Sequence, residues 1–503
     1  MVATDATART APRIATLVVV CLALFMALLD SVAISIALPV IRADLNTDVA
    51  GLVWIADGYV LVFAALLLTS GTLGDRFGRV GMFRAGLAVF TLGSAVCAAA
   101  PTLWVLVAGR VVQGLGAALV TPQTLAILSH TFPGEKERAR AFGVWSGVSA
   151  LALVLGPVIG GALVGTWGWQ SMFLVNVPVG IVALILGART QGGGRAAPAG
   201  LSLRHAIDLP GQLLTVLWLG TLTFALIEGS RLGWGAPLIV GLFVVSAAAF
   251  VTLLVVERRA PHPMLQLGLF RSATFSASTA VIALVASGMY ASFFMISLFL
   301  QQVQGYQAAG AGVRFLPAML TVMVASPLAG LLAGRVGARV PVVLGCLLIG
   351  VSLLMLARVD AEAAYGGWWP WLVAFGAGIG LVIPPVNSAL MGSVPPERAG
   401  LASATGESGQ QVGALVGIAV LGALVSSEFS RVVADGAARA GLSAADTEKL
   451  ARTLFSQSGR SIGGGTRVKN LVAHALTGGV HTALLAAGIA ALVAGVVGLA
   501  IRE

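Results

Sequence analysis

Charged residues are scarce in this chain of 503 residues, since Asp, Glu, Lys and Arg make up only 10% of it, against roughly a quarter of an average soluble domain. A surface exposed to water cannot be built from so few. Cysteine is almost absent, and Cys21, Cys97 and Cys346 all lie inside apolar stretches, which excludes a disulfide framework and a Cys-ligated zinc site. The formal net charge is +10, yet no run rich in Lys and Arg is present, which argues against nucleic acid as a partner.

Two further absences concern enzymes. The chain has no Gly-x-x-x-x-Gly-Lys-Ser/Thr phosphate loop, which argues against ATP hydrolysis by this polypeptide. The five histidines show no metal-ligand spacing within an apolar stretch, so a metal-dependent enzyme embedded in a membrane is disfavoured. We therefore predict neither an enzymatic activity nor a cofactor.

Apolar stretches, in contrast, are abundant. Hydrophobic residues make up 58% of the chain and recur in stretches long enough to cross a bilayer core of ~30 Å. We predict an all-α membrane protein with fourteen transmembrane helices, and we treat the first stretch as a span because it is too long for the apolar region of a signal peptide. The predicted spans are 14–38, 51–71, 83–100, 103–128, 141–165, 171–188, 209–228, 236–256, 276–300, 312–333, 340–358, 369–391, 407–426 and 478–500.

The basic residues predict the orientation of these spans. Lys and Arg concentrate in the tails and loops of one side, which we assign to the cytoplasm together with both termini. The short loops of the other side contain only Arg42, Arg231, Arg314 and Arg358. The segment 427–477 is an exception, because it is assigned to the outside and contains seven Lys and Arg residues, but long loops have less weight in this rule.

An internal repeat divides the chain. Gly71, Leu73, Arg76 and Gly78 after the second span recur, at a constant offset, as Gly330, Leu332, Arg335 and Gly337 after the tenth. A second match at nearly the same offset joins 137–139 to 397–399, so we predict two parallel six-span halves. The predicted domains are an N-terminal six-helix bundle (1–188), a linker with two additional helices (189–275), and a C-terminal six-helix bundle with a long outer loop at 427–477 (276–503).

The turn after the second span carries a glycine- and arginine-rich motif, Gly71-x-Leu73-x-Asp75-Arg76-x-Gly78-Arg79. In a chain of two parallel six-span halves, this motif resembles the inner-loop signature of the major facilitator superfamily, where charged residues pair across a gate on the cytoplasmic side. The resemblance implies an inner gate. Its residues are Gly71, Asp75, Arg76, Gly78 and Arg79, with Arg335 in the second copy. The alternative is that these arginines only orient the chain.

Three further motifs sharpen the resemblance. Arg110-x-x-Gln113-Gly114 in the fourth span is similar to a motif associated with proton coupling. Leu29-Asp30, followed by Ala37-Leu38-Pro39, is similar to the first-span motif of the fourteen-span drug:proton antiporter family. The fifth span resembles the motif of the exporting, antiporter branch, although its glycines would also suit ordinary helix packing. The antiporter-motif residues are Gly156, Pro157, Gly160 and Gly161.

The resemblance implies a major facilitator fold with two six-helix bundles plus two additional helices. It also implies a proton-coupled antiporter of the cell membrane that functions as a monomer. The substrates would be amphipathic or lipophilic small molecules such as drugs or antibiotics, exported by alternating access, and the partners would be protons and the lipid bilayer. A proton-coupled importer of the same superfamily and a passive channel remain as alternatives.

Ionisable residues inside spans are costly to bury and are therefore functional candidates. By helix rise, Asp30, Asp57 and Arg110 all lie ~9–12 Å from the outer ends of their spans, so we expect them to share one depth and to couple proton binding to transport. Glu407 is a fourth candidate for proton coupling. The alternatives are a static ion pair between Asp30 and Arg110 and interfacial positions for Asp57 and Glu407.

Overall fold

The structure is a computed structural model that describes residues 3–132, 135–188, 208–260, 263–395, 399–439 and 466–502. The described part of the first half is helical. Its helices are α1 (Ala3–Asp44), α2 (Val49–Phe77), α3 (Arg79–Ala98), α4 (Leu103–Thr131), α5 (Glu135–Trp167), α6 (Gln170–Leu174) and α7 (Asn176–Ala188).

The remainder of the chain continues in the same way. A hairpin of α8 (Leu209–Leu232) and α9 (Pro237–Arg259) follows the first half, and a short 3-10 turn (Leu267–Arg271) leads into the second half. The helices of the second half are α10 (Ala273–Leu298), α11 (Ala308–Arg314), α12 (Leu316–Val336), α13 (Arg339–Leu356), α14 (Tyr365–Gly392), α15 (Ala399–Arg439) and α16 (Thr466–Gly498).

The predicted all-helical membrane architecture is confirmed. Among the described residues, 13 helical stretches are long and apolar enough to cross a membrane. The predicted span 141–165 corresponds to α5, of which the described apolar segment is Leu155–Trp167. The count of fourteen therefore stays a prediction.

Several helices continue beyond the predicted spans. Within the predicted outer loop 427–477, α15 continues to Arg439 and α16 begins at Thr466. An α-helix satisfies its backbone hydrogen bonds internally, so polar residues can prolong it past the apolar segment that we used as the criterion. Residues 440–465 of this loop and 189–207 of the predicted linker lie outside the described part of the chain.

Two predicted spans are interrupted. The sixth is divided at Val175 into α6 and α7, next to Pro178, and the tenth is divided at Phe315 into α11 and α12, next to Pro317. Proline lacks the N–H that would continue the helical ladder, which explains both breaks. In addition, α10 ends in a π-helical turn, Phe299–Val303.

The two halves pack side by side. Helices α1–α7 form one bundle and α10–α16 the other, and the bundles meet where α1 contacts α10, α2 contacts α15, and α5 contacts α11. The α8–α9 hairpin packs against both α2 and α15. This arrangement agrees with the two predicted six-helix bundles and two additional helices.

The contact between the halves is tight on one side and open on the other. A Cβ on Gly161 of α5 would lie 2.6 Å from the carbonyl oxygen of Ala308, and one on Gly422 of α15 would lie 2.5 Å from Val53. On the side assigned to the cytoplasm, a Cβ on Gly71, Gly147 or Gly330 would meet no atom within 4 Å. The halves therefore form a crevice that is closed at the predicted outer side and open at the inner side.

Four exposed tryptophans mark the closed side. They lie at helix ends or turns of α4, α5, α8–α9 and α14, all on the predicted outer side: Trp104, Trp167, Trp234 and Trp369. Indole rings favour the boundary between lipid and water. These side chains are consistent with a bilayer boundary at this level of the bundle.

Candidate functional site

An ion pair between Asp30 of α1 and Arg110 of α4 lies inside the first bundle. Both side chains are almost inaccessible to solvent, at 0% and 1%, and Arg110 Nη1 donates to Asp30 Oδ2. The other carboxylate oxygen, Oδ1, accepts from Gln113 Nε2 at 3.3 Å and from Asn176 Nδ2 at 3.2 Å. Helices α1, α4 and α7 are therefore joined by a carboxylate whose two oxygens both have partners.

Arg110 is held by further contacts. Its Nε donates to the carbonyl oxygen of Ile55 at 3.1 Å, Nη1 also donates to Gln113 Oε1 at 2.9 Å, and the guanidinium carbon lies 4.4 Å from the ring centroid of Tyr59. In the described part of the chain, Nη2 makes no hydrogen bond. The guanidinium thus uses its planar fork for several acceptors and retains one free donor group.

Glycines of the fourth-span motif bring the helices close enough for these bonds. A Cβ on Gly114 would collide with the Tyr59 carbonyl oxygen of α2, and one on Gly116 would collide with the backbone of Phe90 in α3. Gly93 of α3 is similarly close to the backbone of α4, where a Cβ would lie 2.6 Å from the Gln113 nitrogen. Only small residues permit such approaches, so the motif places Arg110 by allowing three helices to pack closely.

Asp57 lies at the expected depth but outside this cluster. Its side chain is 0% exposed, and neither carboxyl oxygen has a hydrogen-bond partner among the described residues. Gly58, the next residue, faces Arg110 of α4, and successive residues are ~100° apart around a helix. Asp57 is therefore buried, as expected, but it is not a member of the hydrogen-bonded cluster around Asp30 in the described part of the chain.

Glu407, which the predicted boundary 407–426 places at the end of a span, lies within α15. The helix begins at Ala399, and Gln411 Nε2 donates to Glu407 Oε1 at 2.9 Å. Residues 407, 411, 414 and 418 share one face of an α-helix. The last three of these positions line a cavity between the bundles, so Glu407 is one turn from that cavity.

The cavity lies between α1, α2 and α4 of one bundle and α10 and α15 of the other. Arg110 reaches it from the ion pair, so the cluster and the cavity are contiguous. Most of the remaining lining is aliphatic, with one phenylalanine, Phe294. The polar lining residues are Ser31, Ser35, Tyr59, Arg110, Tyr290 and Gln411.

The antiporter-motif residues lie in α5 between α1 and α11. A Cβ on Gly156 would lie 3.1 Å from Val32, and one on Gly160 would lie 2.7 Å from the Ala33 side chain, both in α1 close to Asp30. On the opposite side, Pro157 and Gly161 pack against α11 of the second bundle. Helix α5 therefore connects the contact between the bundles with the helix that carries the buried acid.

The predicted inner gate is described only in part. Asp75 and Arg76 belong to α2, but their side chains lie outside the described residues. Gly78 ends α2 with φ 92°, and its counterpart Gly337 ends α12 with φ 79°, a backbone region that glycine adopts without steric cost. The repeated turn is thus present in both halves.

The two described arginines of the inner gate do not face each other. Arg79 Nη1 contacts the carbonyl oxygen of Ala126 at 3.5 Å, whereas Arg335 is exposed on α12. Gly71 of α2 lies in open space, since a Cβ there would meet no atom within 4 Å. Pairing across the gate stays a prediction.

Some site residues were missed by sequence reasoning. Asn176 and Ser94 were not predicted as members of the cluster, yet Asn176 bonds Asp30, and Gln113 Nε2 donates to Ser94 Oγ at 2.8 Å. A polar amide inside an apolar span was the available signal for Asn176. In the described part of the chain, no group of three or more His, Cys, Asp or Glu residues is placed to hold a metal ion.

Comparisons with known proteins agree with this architecture. Residues 20–418 match the family model of the Major Facilitator Superfamily. The chain is 36% identical to the multidrug resistance protein Stp of Mycobacterium tuberculosis over 82% of its own length and 76% of that protein. It is 34% identical to the tetracenomycin C resistance and export protein of Streptomyces glaucescens, with 97% and 91% covered.

A solved structure shows the same fold. The chain resembles a bacterial homolog of the human lysosomal transporter Spinster in its inward-facing, unoccupied conformation, with a TM-score of 0.68, 17% identity, and 97% and 96% of the two chains covered. At this identity the likeness concerns the fold alone.

Proposed function

Because the chain belongs to the Major Facilitator Superfamily, and is therefore a multi-pass membrane transporter, we propose that it exports amphipathic or lipophilic small molecules in exchange for protons by alternating access. The relatives named for multidrug resistance and for tetracenomycin C export support the direction and the substrate class. The mainly apolar lining of the cavity suits the same class of molecule.

The observation that carries proton coupling is the buried ion pair of Asp30 and Arg110 beside this cavity. A proton on Asp30 cancels the charge of the carboxylate and removes the ionic partner of Arg110. The guanidinium is then free to turn toward the cavity, which it already lines. With Asp30 protonated, Arg110 thus enters the cavity in which the substrate binds. The proton and the substrate therefore compete, as an exchange mechanism requires.

The other acids have supporting roles in this proposal. Among the described residues, Asp57 has no hydrogen-bond partner in its buried site, where a neutral carboxyl group is far less costly than a carboxylate. Glu407 belongs to the second bundle, next to the cavity and bonded to Gln411. We assign the coupled proton to Asp30, with Asp57 and Glu407 as further proton-binding groups.

The antiporter-motif contacts connect this chemistry to the movement of the bundles. Gly160 lies against Ala33, three residues from Asp30, while Gly161 lies against α11. A change at Asp30 is therefore transmitted through α5 to the closed side. On the open side, Asp75, Arg76 and Arg79 pair across the inner gate with the second bundle when the crevice closes, in the proposed orientation with fourteen spans and both termini in the cytoplasm.

The proposal is tested with the protein in inverted membrane vesicles and tetracenomycin C as the probe. We expect accumulation of the probe against its gradient when the vesicle lumen is acidic, and loss of accumulation on addition of a protonophore. Accumulation that is insensitive to the protonophore contradicts proton coupling. Movement only down the gradient contradicts a transporter and supports a channel, and accumulation only with the opposite pH gradient supports an importer.

A further inference from the structure

The two bundles meet along two seams that are not equivalent. One seam runs between α2 and α15, and the other runs between α5 and the pair α11–α12. Helix α8 packs against both α2 and α15 and so lies across the first seam. In the described part of the chain, no additional helix packs across the second seam.

Polar contacts fasten the hairpin to α2 at its outer end. Trp54 Nε1 donates to Glu228 Oε1 at 3.0 Å, and the Trp54 ring lies 5.7 Å from that of Phe224. Arg231 forms ion pairs with Asp48, just before α2, and with Glu228, both at 3.1 Å. Glu228 is thus a buried link between the hairpin and the first bundle.

A second fastening lies toward the inner end of the same helices. Gln212 Nε2 donates to the Ala65 carbonyl oxygen at 2.8 Å, and the Gln212 side chain is also bonded to the hydroxyl of Thr69. Toward α15 the contact is apolar, since Leu219 of α8 packs with Leu415 and Val412. Apolar surfaces can slide without breaking hydrogen bonds, so the hairpin moves with α2 and stays over the seam while α15 shifts.

None of the described helices covers the inner half of the second seam in this way. Gly143 lies 18 residues before Gly161, which is about five helical turns, so the two glycines share one face of α5. That face packs against α11 at Gly161, but a Cβ on Gly143 or Gly147 would meet nothing within 4 Å. On α12, Gly330 and Gly334 likewise lie in open space.

The side chains beside this opening are apolar and exposed. They include Val144 (47% exposed) and Leu151 (46%) on α5, and Leu331 (69%) on α12. An opening toward water would favour polar residues at these positions. Their exposure is natural in contact with lipid chains.

We propose that substrates dissolved in the inner leaflet of the bilayer reach the cavity sideways, through the seam between the inner halves of α5 and α12, while the α8–α9 hairpin seals the seam between α2 and α15. This inference rests on the proposed export function and narrows its substrate class to molecules that partition into the membrane. The polar cavity residues then bind the oxygen or nitrogen atoms of a molecule whose apolar part has arrived through lipid.

The seam is tested by spin labelling of the reconstituted full chain. Nitroxides are attached at Gly147→Cys and Gly330→Cys, because the three native cysteines are buried. We expect both labels to collide more with oxygen, which concentrates in lipid, than with a water-soluble nickel complex. Leu213→Cys on the exposed face of α8 serves as the lipid control. Labels at 147 and 330 that respond mainly to the nickel complex would overturn the proposal.

A transport measurement gives the second test. Gly147→Trp fills the seam with an indole, and Leu344→Trp places the same side chain on the exposed face of α13. With tetracenomycin C we expect about a tenfold loss of kcat/KM in Gly147→Trp, about 1.4 kcal/mol, and no loss in Leu344→Trp. Equal rates in both variants would contradict lateral access. If the wild type moves no probe, the proposed function fails, and the spin labels still decide whether the seam faces lipid.

Discussion

At the scale of single residues, the Asp30 carboxylate is costly to bury, and both of its oxygens have partners. An ionised carboxylate inside a helical bundle is expensive, and this one has an ionic partner and two amide donors. A complete set of partners is also what a purely structural ion pair would show. The two hypotheses therefore differ in what happens when charge or geometry is altered, not in the geometry at rest.

Replacement Asp30→Asn removes the charge and keeps the shape. We expect uphill, pH-driven export to fall to background, because the amide cannot take up the coupled proton, while downhill exchange of substrate persists. Stability should fall by about 3–5 kcal/mol, since Arg110 is left as an uncompensated buried charge. Export and thermal unfolding are measured on the same preparation. Unimpaired uphill export would remove Asp30 from the mechanism.

Replacement Arg110→Lys keeps the charge and removes the planar fork. Lysine cannot reach Asp30, Gln113 and the Ile55 carbonyl oxygen at once, so we expect coupling to be lost without loss of insertion. The measurement is substrate-driven proton movement in reconstituted vesicles, beside thermal stability. A static ion pair leads to a less stable variant that still pumps, and near-normal proton exchange would support that alternative.

At the scale of helices, the closed side depends on very small residues in α5 and α11. A Cβ on Gly312 would collide with the Pro157 carbonyl oxygen, and one on Gly161 would lie 2.6 Å from that of Ala308. Contact between backbones at this distance leaves no room for a side chain. Closure of the outer side is therefore sensitive to single methyl groups.

Replacement Gly312→Val should hold the outer side open. Overpacking of this kind costs about 1–3 kcal/mol, which we expect to shift the balance of conformations about 5–150-fold toward outward-facing states. The measurement is labelling of Ser35→Cys, in the cavity, by an impermeant maleimide added from outside. Gly334→Val, in open space on α12, is the matched control. Equal labelling in both variants would contradict the role of this contact.

Depth in the membrane was predictable from the sequence, whereas rotation about the helix axis was not. The helical rise per residue is nearly constant, so counting residues correctly placed Asp30 and Arg110 at one level. Whether a side chain at that level faces a partner depends on the packing of neighbouring helices, and Asp57 has no hydrogen-bond partner among the described residues although Gly58 faces Arg110. The bonds of Asn176 and of Gln212 were hidden for the same reason.

The sequence also predicted some helix boundaries and not others. Apolar length located most spans, and the repeated glycine turns at Gly78 and Gly337 were found from their spacing. The breaks next to Pro178 and Pro317 were not predicted. They depend on how a helix bends within its bundle, which the apolar length of a segment does not record.

At the scale of the whole molecule, the structure shows one of the two states that alternating access requires. The outer side is closed by backbone contacts, whereas at the inner ends of α2, α5 and α12 a Cβ on Gly71, Gly147 or Gly330 would meet no atom within 4 Å. Charges on those inner ends act only when the crevice closes there. Their effect is therefore on the balance between states.

Replacement Asp75→Asn or Arg79→Ala should slow transport by changing this balance. Both residues lie at the inner end, far from the cavity residues around Arg110, so we expect binding of tetracenomycin C in detergent to change less than twofold. Transport should fall severalfold in either variant. Equilibrium binding and vesicle export are compared, with Arg79→Lys as the control that keeps the charge. Abolished binding in a folded variant would contradict the gating role.

The fastening of the hairpin to α2 also makes the two bundles unequal in how they meet the bilayer. The first bundle carries two extra helices on its perimeter through Trp54, Glu228 and Gln212, so rocking it displaces more lipid than rocking the second bundle. Movement of the first bundle then does most of the work against the lateral pressure of the bilayer. The turnover of the transporter should accordingly depend on the elastic properties of its membrane, and stiff or thick bilayers should slow it even where the chemistry at Asp30 is unchanged.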